Sequence, residues 1–194
     1  MKKITSLLFC LSLLIWACNN ESKDSVDKAD SINKSKMDSG NASTNTQTIT
    51  TDEESSSFLV KAANGGMTEV QLGELAESKG KDAKVKDFAA MMVHDHSAAN
   101  EKVKGIAAQR NVTLPTAISD ENKSKFDDLS KKSGSDFDKA YMNAMVKDHQ
   151  STLDMFQSAA DKVKDTDVKT FINNTIPTVK NHLDSAKAIQ KKLK

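Results

Sequence analysis

The stretch VKDFAAMMVHDHSAANEKVKGI, residues 85–106, places Val85, Ala89, Met92, His96, Ala99, Val103 and Ile106 at alternating steps of four and three. That spacing returns to one face of an α-helix and marks the seam of a helix packed among others. A histidine in the middle of an apolar seam is the exception that needs a reason. Met142, Met145, His149, Thr152, Phe156, Ala159 and Val163 repeat both the spacing and the exception. So do Val168, Ile172, Thr175, Val179, His182, Ala186 and Ile189. A fourth seam runs Phe58, Ala62, Gly65, Glu69, Leu72 and Ala76, with Glu69 as its polar member. The phrase Met-Val-x-Asp-His is written twice, ending at His96 and at His149.

The boundaries between these seams are legible. Gly80 closes the first helix and Asp82 caps the second; Ser135 caps the third, with Asp138 three residues on as a capping box. The stretch KDTD at 164–167 separates the third from the fourth, and DAKVKDF at 82–88 resembles DTDVKTF at 165–171, as two related helical hairpins would. Residues 110–134 contain Pro115 and a short helix capped by Ser119 and carrying Phe126 and Leu129. A connection of that length crosses the bundle and makes helices two and three parallel. The expectation is an all-α chain whose residues 58–194 form a four-helix bundle with a long, partly helical crossover between helices 2 and 3. Pro177 should kink the last helix before His182, or break it with Asn174 or Thr175 as a new cap.

Residues 1–17 read as a signal peptide, with Lys2 and Lys3 ahead of the apolar run Ile4–Trp16. Ala17 and Cys18 resemble the lipobox of bacterial lipoproteins, where the cysteine thiol receives a diacylglycerol. Cys10 would leave with the signal and Cys18 would carry lipid, so no disulfide forms within the mature chain. The membrane, reached through that lipid anchor, is the expected partner, and the cell envelope, outer membrane or periplasm-facing, the expected location; no protein partner can be named. Residues 18–57 are Ser, Thr, Asn, Asp and Lys with few large apolar residues, and read as a disordered linker spanning on the order of 35 Å. With 28 Lys+Arg against 27 Asp+Glu the net charge is +1, which argues against nucleic acid as a partner. Aromatic residues make up 5%, so the core must be Ala, Val, Leu, Ile and Met, as in closely packed helices.

Counting along the helices brings His96, His149 and His182 to one depth within about 3 Å, and Glu69 to within about 6 Å, at 1.5 Å rise per residue. Asp95 and Asp148 precede two of these histidines and would reach a neighbouring helix to orient an imidazole. His94 should face solvent. Two readings stand side by side. In one, His96, His149, His182 and Glu69 bind a transition metal (copper, zinc, iron or manganese) inside the bundle, with Met92 and Met145 as soft ligands suited to copper(I). In the other, the protein is structural or interacts with partners, and its Asp–His network only fixes helix packing. No Ser-centred nucleophile motif, free mature cysteine or Gly-rich phosphate loop points to an enzyme.

NGGMTEVQLGELA at 64–76, FAAMMVHDHSAAN at 88–100, FDKAYMNAMVKDH at 137–149 and TIPTVKNHLDSA at 175–186 together resemble the bacterial family DUF4142. The resemblance implies a ferritin-like helical fold in a membrane or outer-membrane protein, and no particular activity; the expected role, metal-binding or stress-related in the envelope, comes from the polar residues and the lipobox. Di-iron ferritin-like proteins use Glu-x-x-His pairs. Here Val93, Val146 and Val179 stand three residues before the histidines, so a di-iron site is not expected.

Overall fold

The computed structural model describes residues 24–40 and 49–193, the side chains of 39 and 40 excepted. Among them are six helices and no strand: α1 (Ser25–Gly40), α2 (Glu53–Lys79), α3 (Ala83–Gln109), α4 (Asp120–Ser130), α5 (Gly134–Lys162) and α6 (Thr166–Lys192). The long helices α2, α3, α5 and α6 form the bundle, in which α2 packs on α3 and α5, and α6 on α5 and α3. Two apolar clusters give the directions. Phe88 and Ala89 near the start of α3 share the upper one with Phe137, Tyr141 and Met142 near the start of α5. Val103 and Phe156, near the far ends of the same two helices, share the lower one with Phe58 and Phe171. Helices α3 and α5 are therefore parallel, and the connection between them returns the chain along the bundle with α4 lying against α2 and α5.

Most helix starts carry the expected chemistry. Asp52, Asp82, Ser119 and Asp165 accept backbone N–H groups in the first turns of α2, α3, α4 and α6, satisfying donors that a helix leaves unpaired. Three local expectations are corrected. The first bundle helix begins at Glu53, ahead of Phe58, because Asp52 caps it. Helix α5 starts after Ser133, not Ser135, and Asp138 makes no capping box. Its buried carboxylate instead accepts the Lys81 and Asp82 amides at 2.9 and 2.8 Å, pinning the α2–α3 turn to α5. Helix α6 runs unbroken through Pro177, so Asn174 and Thr175 cap nothing; the Thr175 hydroxyl donates to the Phe171 carbonyl at 2.7 Å.

The linker expected to be disordered over 18–57 contains α1, which packs on α2 and buries Ala29 in the lower cluster. Its polar side chains explain why. Asn33 pairs with Thr113 as a strand would, donating to its carbonyl at 2.8 Å and accepting its amide at 2.7 Å. Lys36 donates to the Asn111 carbonyl, Ser25 Oγ accepts the Thr116 and Ala117 amides, and Asp24 accepts the Asp120 amide. The crossover loop has backbone groups that no regular element pairs, and α1 supplies their partners. A reading based on large apolar residues counts none of this. The expected signal peptide and Cys18 lie outside the described residues.

Close approach of α2 and α3 depends on glycine. A Cβ at Gly73 would stand 2.7 Å from Val93 Cγ2 and 3.1 Å from the Ala89 carbonyl oxygen, whereas at Gly65 it would meet nothing within 4 Å. Gly73→Ala should therefore lower stability by about 1–3 kcal/mol. Gly65→Ala should raise it by up to about 1 kcal/mol through helix propensity alone. Urea unfolding midpoints of the two variants, read against the parent, check both signs.

Candidate metal centre

Between the two apolar clusters lies one polar level. On α2 Glu69 falls between Ala63 of the lower cluster and Leu72 of the upper; on α3 His96 falls between Met92 and Val103. On α5 His149 falls between Met145 and Phe156, and on α6 His182 falls between Ile172 and Ala186. The three imidazoles meet at the bundle axis. Their centroids are 5.7 Å apart for His96 and His149, and 5.5 Å for each of the other two pairs. One nitrogen from each ring lies within 4.8 Å of the others. His149 and His182 are buried and His96 is half-buried by whole-residue exposure.

Hydrogen bonds fix the protons on two of the rings. His149 Nδ1 donates to the Met145 carbonyl at 2.9 Å; a carbonyl can only accept, so the proton sits on Nδ1 and Nε2 keeps its lone pair. His182 Nε2 donates to Asp95 Oδ2 at 2.9 Å, which leaves Nδ1 as the lone-pair nitrogen. His149 Nε2, His182 Nδ1 and His96 Nε2 are all buried and have no partner. Burial first, and then the neighbouring imidazoles, push His96 down to about 3 and His149 down to about 4. Burial also lowers His182, against the pull of the Asp95 carboxylate. At neutral pH these are three neutral rings, each with a buried and partnerless nitrogen, and on His149 and His182 that nitrogen carries a lone pair.

An orphaned buried polar nitrogen costs about 1–3 kcal/mol, and the two fixed acceptors beside a third open ring call for something electropositive between them. A metal at about 2.0–2.1 Å from three nitrogens requires them roughly 3.3–3.6 Å apart. From a separation of at most 4.8 Å, each nitrogen would move by no more than about 0.9 Å to reach that geometry. The residues present fit a metal ion. Neutral nitrogen donors without thiolate suit copper or zinc.

The remaining candidates divide. Asp95 crosses from α3 to α6, as expected of it, and holds His182; burial alone would raise its carboxyl, but the hydrogen bonds from His94 and His182 bring it below its ordinary value. Exposed His94 stays out of the centre, with Nδ1 2.8 Å from the other oxygen of Asp95. Asp148 corrects the expectation: it orients no imidazole but accepts Lys125 of α4 at 2.8 Å through both oxygens. Lys125 lies in the crossover, and no seam spacing could have pointed to it. Glu69 is buried on the same level yet is not one of the converging groups. Burial, then the nearby Asp148 charge, pushes it up to about 8 against the opposing pull of Lys125. Its Oε2 and the Tyr141 hydroxyl are both buried without a partner. Met92 and Met145 are fully buried in the upper apolar cluster. Met145 serves the centre through its backbone carbonyl, a role that its place one turn before His149 makes legible.

Residues 39–189 match the family described as "Domain of unknown function (DUF4142)". The chain is a member of DUF4142. No functionally curated protein matches this DUF4142 chain in sequence. Among solved structures it is similar to a DUF305 fragment from Deinococcus radiodurans, with a TM-score of 0.66 at 11% identity, covering 73% of this chain and 98% of that one. It is also similar to CopM in its Cu(I)-bound form, with a TM-score of 0.61, 16% identity, and 71% and 96% of the two chains covered. The Cu(II)-bound form of CopM gives a TM-score of 0.63 at 14% identity, over 72% and 97%. At such identities the likeness is one of fold, and it agrees with the helical bundle found here.

The buried titratable groups make stability depend on pH with two opposite slopes. An imidazole takes its proton near 6.5 in the unfolded chain but only near 3 or 4 at His96 and His149. Between those values the unfolded state binds more protons, so stability falls as pH drops, by about 1.4 kcal/mol per pH unit for each imidazole. Glu69 runs the other way, from 4.5 to about 8, so its contribution falls as pH rises across that span. Below 6.5 the imidazoles outweigh the single carboxyl; above it Glu69 acts alone. The metal-free protein should be most stable near pH 6.5, and Glu69→Gln should flatten the decline between pH 6.5 and 8, as urea unfolding across pH would show.

Proposed function

We propose that this chain is a metal-binding envelope protein that holds a copper ion between His96, His149 and His182, and that it is a binding protein rather than an enzyme. The observation that carries the reading is the set of three buried, partnerless imidazole nitrogens on separate helices. A network serving only to fix helix packing would be satisfied within itself, because each open lone pair in a dry interior is a standing cost. His149 also spends its one donor on its own helix, which registers nothing. Copper is preferred because three neutral imidazoles suit either of its oxidation states and copper(II) binds such sites most tightly of the divalent first-row ions. The copper-bound forms of CopM, similar in fold, add support. Bound copper supplies a positive charge, and the chain's own groups hold that charge: the imidazoles donate, Asp95 orients His182, and the Met145 carbonyl orients His149.

Untagged protein incubated with copper and desalted should retain one ion per chain by elemental analysis. His149→Leu should abolish retention while leaving the metal-free fold as stable or more so, since it replaces an unsatisfied polar group. His94→Ala should retain copper. At a free copper concentration about a hundred times the dissociation constant, the parent should gain about 2.7 kcal/mol of stability. No retained metal and no thermal shift with copper or zinc would overturn the reading.

The address belongs to the same reading. Lipid on Cys18 would tether the bundle to the membrane, on the envelope's outer membrane or facing the periplasm. Cys18→Ser should move the chain from the membrane fraction to the soluble one, measured by fractionation of expressing cells.

A further inference from the structure

Directly beside the imidazole level, on the side of the lower apolar cluster, lies a cavity of about 50 Å³. Glu69, His96, Thr152, Asn100 and Lys61 line it, and residues of the lower cluster, Phe156 among them, form part of its wall. One water needs about 10–15 Å³ of such space, so the cavity has room for a ligand of two or three non-hydrogen atoms. Glu69 Oε2 is buried without a partner, in a residue with 6% exposure. Three imidazoles leave a tetrahedral ion one position short, and His96 is the donor that borders the cavity.

We propose that this cavity is a subsite for a small ligand of the bound metal, a water, a hydroxide or an anion of two or three non-hydrogen atoms, which the Glu69 carboxyl holds by a hydrogen bond. The proposal rests on the metal-binding reading above. Glu69 is then a partner of the metal's exogenous ligand and not a fourth protein donor, which accounts for its absence from the converging set. Burial favours its protonated form, and a protonated carboxyl donates to an anion where a carboxylate would repel it. The small volume of the cavity excludes larger ligands, and Lys61 in its lining favours an anion over a neutral one.

The test uses the full chain loaded with copper(II) and azide as the probe, read by the azide-to-copper charge-transfer absorption. The parent should give a saturable band. Glu69→Gln, which still offers an N–H donor, should bind azide within about threefold of the parent, and Glu69→Leu about tenfold more weakly, the loss of one hydrogen bond. Copper content should be the same in all three. Thr152→Ile, which fills the cavity without touching Glu69, should weaken azide as well. A parent that holds copper but gives no azide band overturns the subsite. So does unchanged azide affinity in Glu69→Leu, or copper lost from both Glu69 variants, which would make Glu69 a ligand. A parent that holds no copper at all fails the metal reading itself and takes the subsite with it.

Discussion

Three neutral imidazoles facing one another with a partnerless buried nitrogen on each form the constraint around which the bundle is arranged. Each ring has been removed from water, and the neighbouring rings make it harder still for His96 and His149 to take a proton. Such an arrangement persists only if the rest of the fold pays for it. The two apolar clusters above and below the level do so, with large side chains such as Tyr141, Phe137, Leu59 and Ile172 fully buried.

Orientation comes from neighbours rather than from the imidazoles themselves. Asp95 reaches from α3 to fix His182 on α6, and the Met145 carbonyl fixes His149 on its own helix. Both leave the free nitrogen pointing away from the hydrogen bond, which is the arrangement a metal ligand needs. The edge of Phe88 packs against His149 at 6.4 Å between ring centroids and closes the upper side. Rigidity of the four helices then matters as much as the donors. Asp138 pins the upper turn, and Arg110 clasps Asp165 and Asp167 at the lower one, so the helix ends cannot slide and shift the rings past one another.

Charge near the level leaves one carboxylate unmatched. Asp148 is matched by Lys125 and Glu69 is held neutral by burial, whereas Asp95 keeps its charge and accepts hydrogen bonds from His182 and His94. A cation entering the triad therefore meets one nearby carboxylate that is hydrogen-bonded to a donor ring. The helix carrying Lys125 belongs to the crossover, so the connection that sets the topology also sets this balance.

Heptad-like spacing in four segments determined the helices, their inward faces and the depth of His96, His149 and His182, because helical rise and twist are local properties of the backbone. The length of the 110–134 segment determined that α3 and α5 run parallel, since a short turn could not have joined them. Other features were decided only by tertiary structure. Asp148 chose Lys125 over an imidazole because α4 brought an ammonium within reach. Asp138 left its own helix start for the α2–α3 turn, where two backbone amides needed an acceptor. Segment 25–40 became a helix because an irregular loop distant in sequence had unpaired amides and carbonyls for it to satisfy. Glu69 lies buried on the level but outside the triad. Periodicity states which face a residue occupies; which atoms it meets depends on what the other helices leave unpaired.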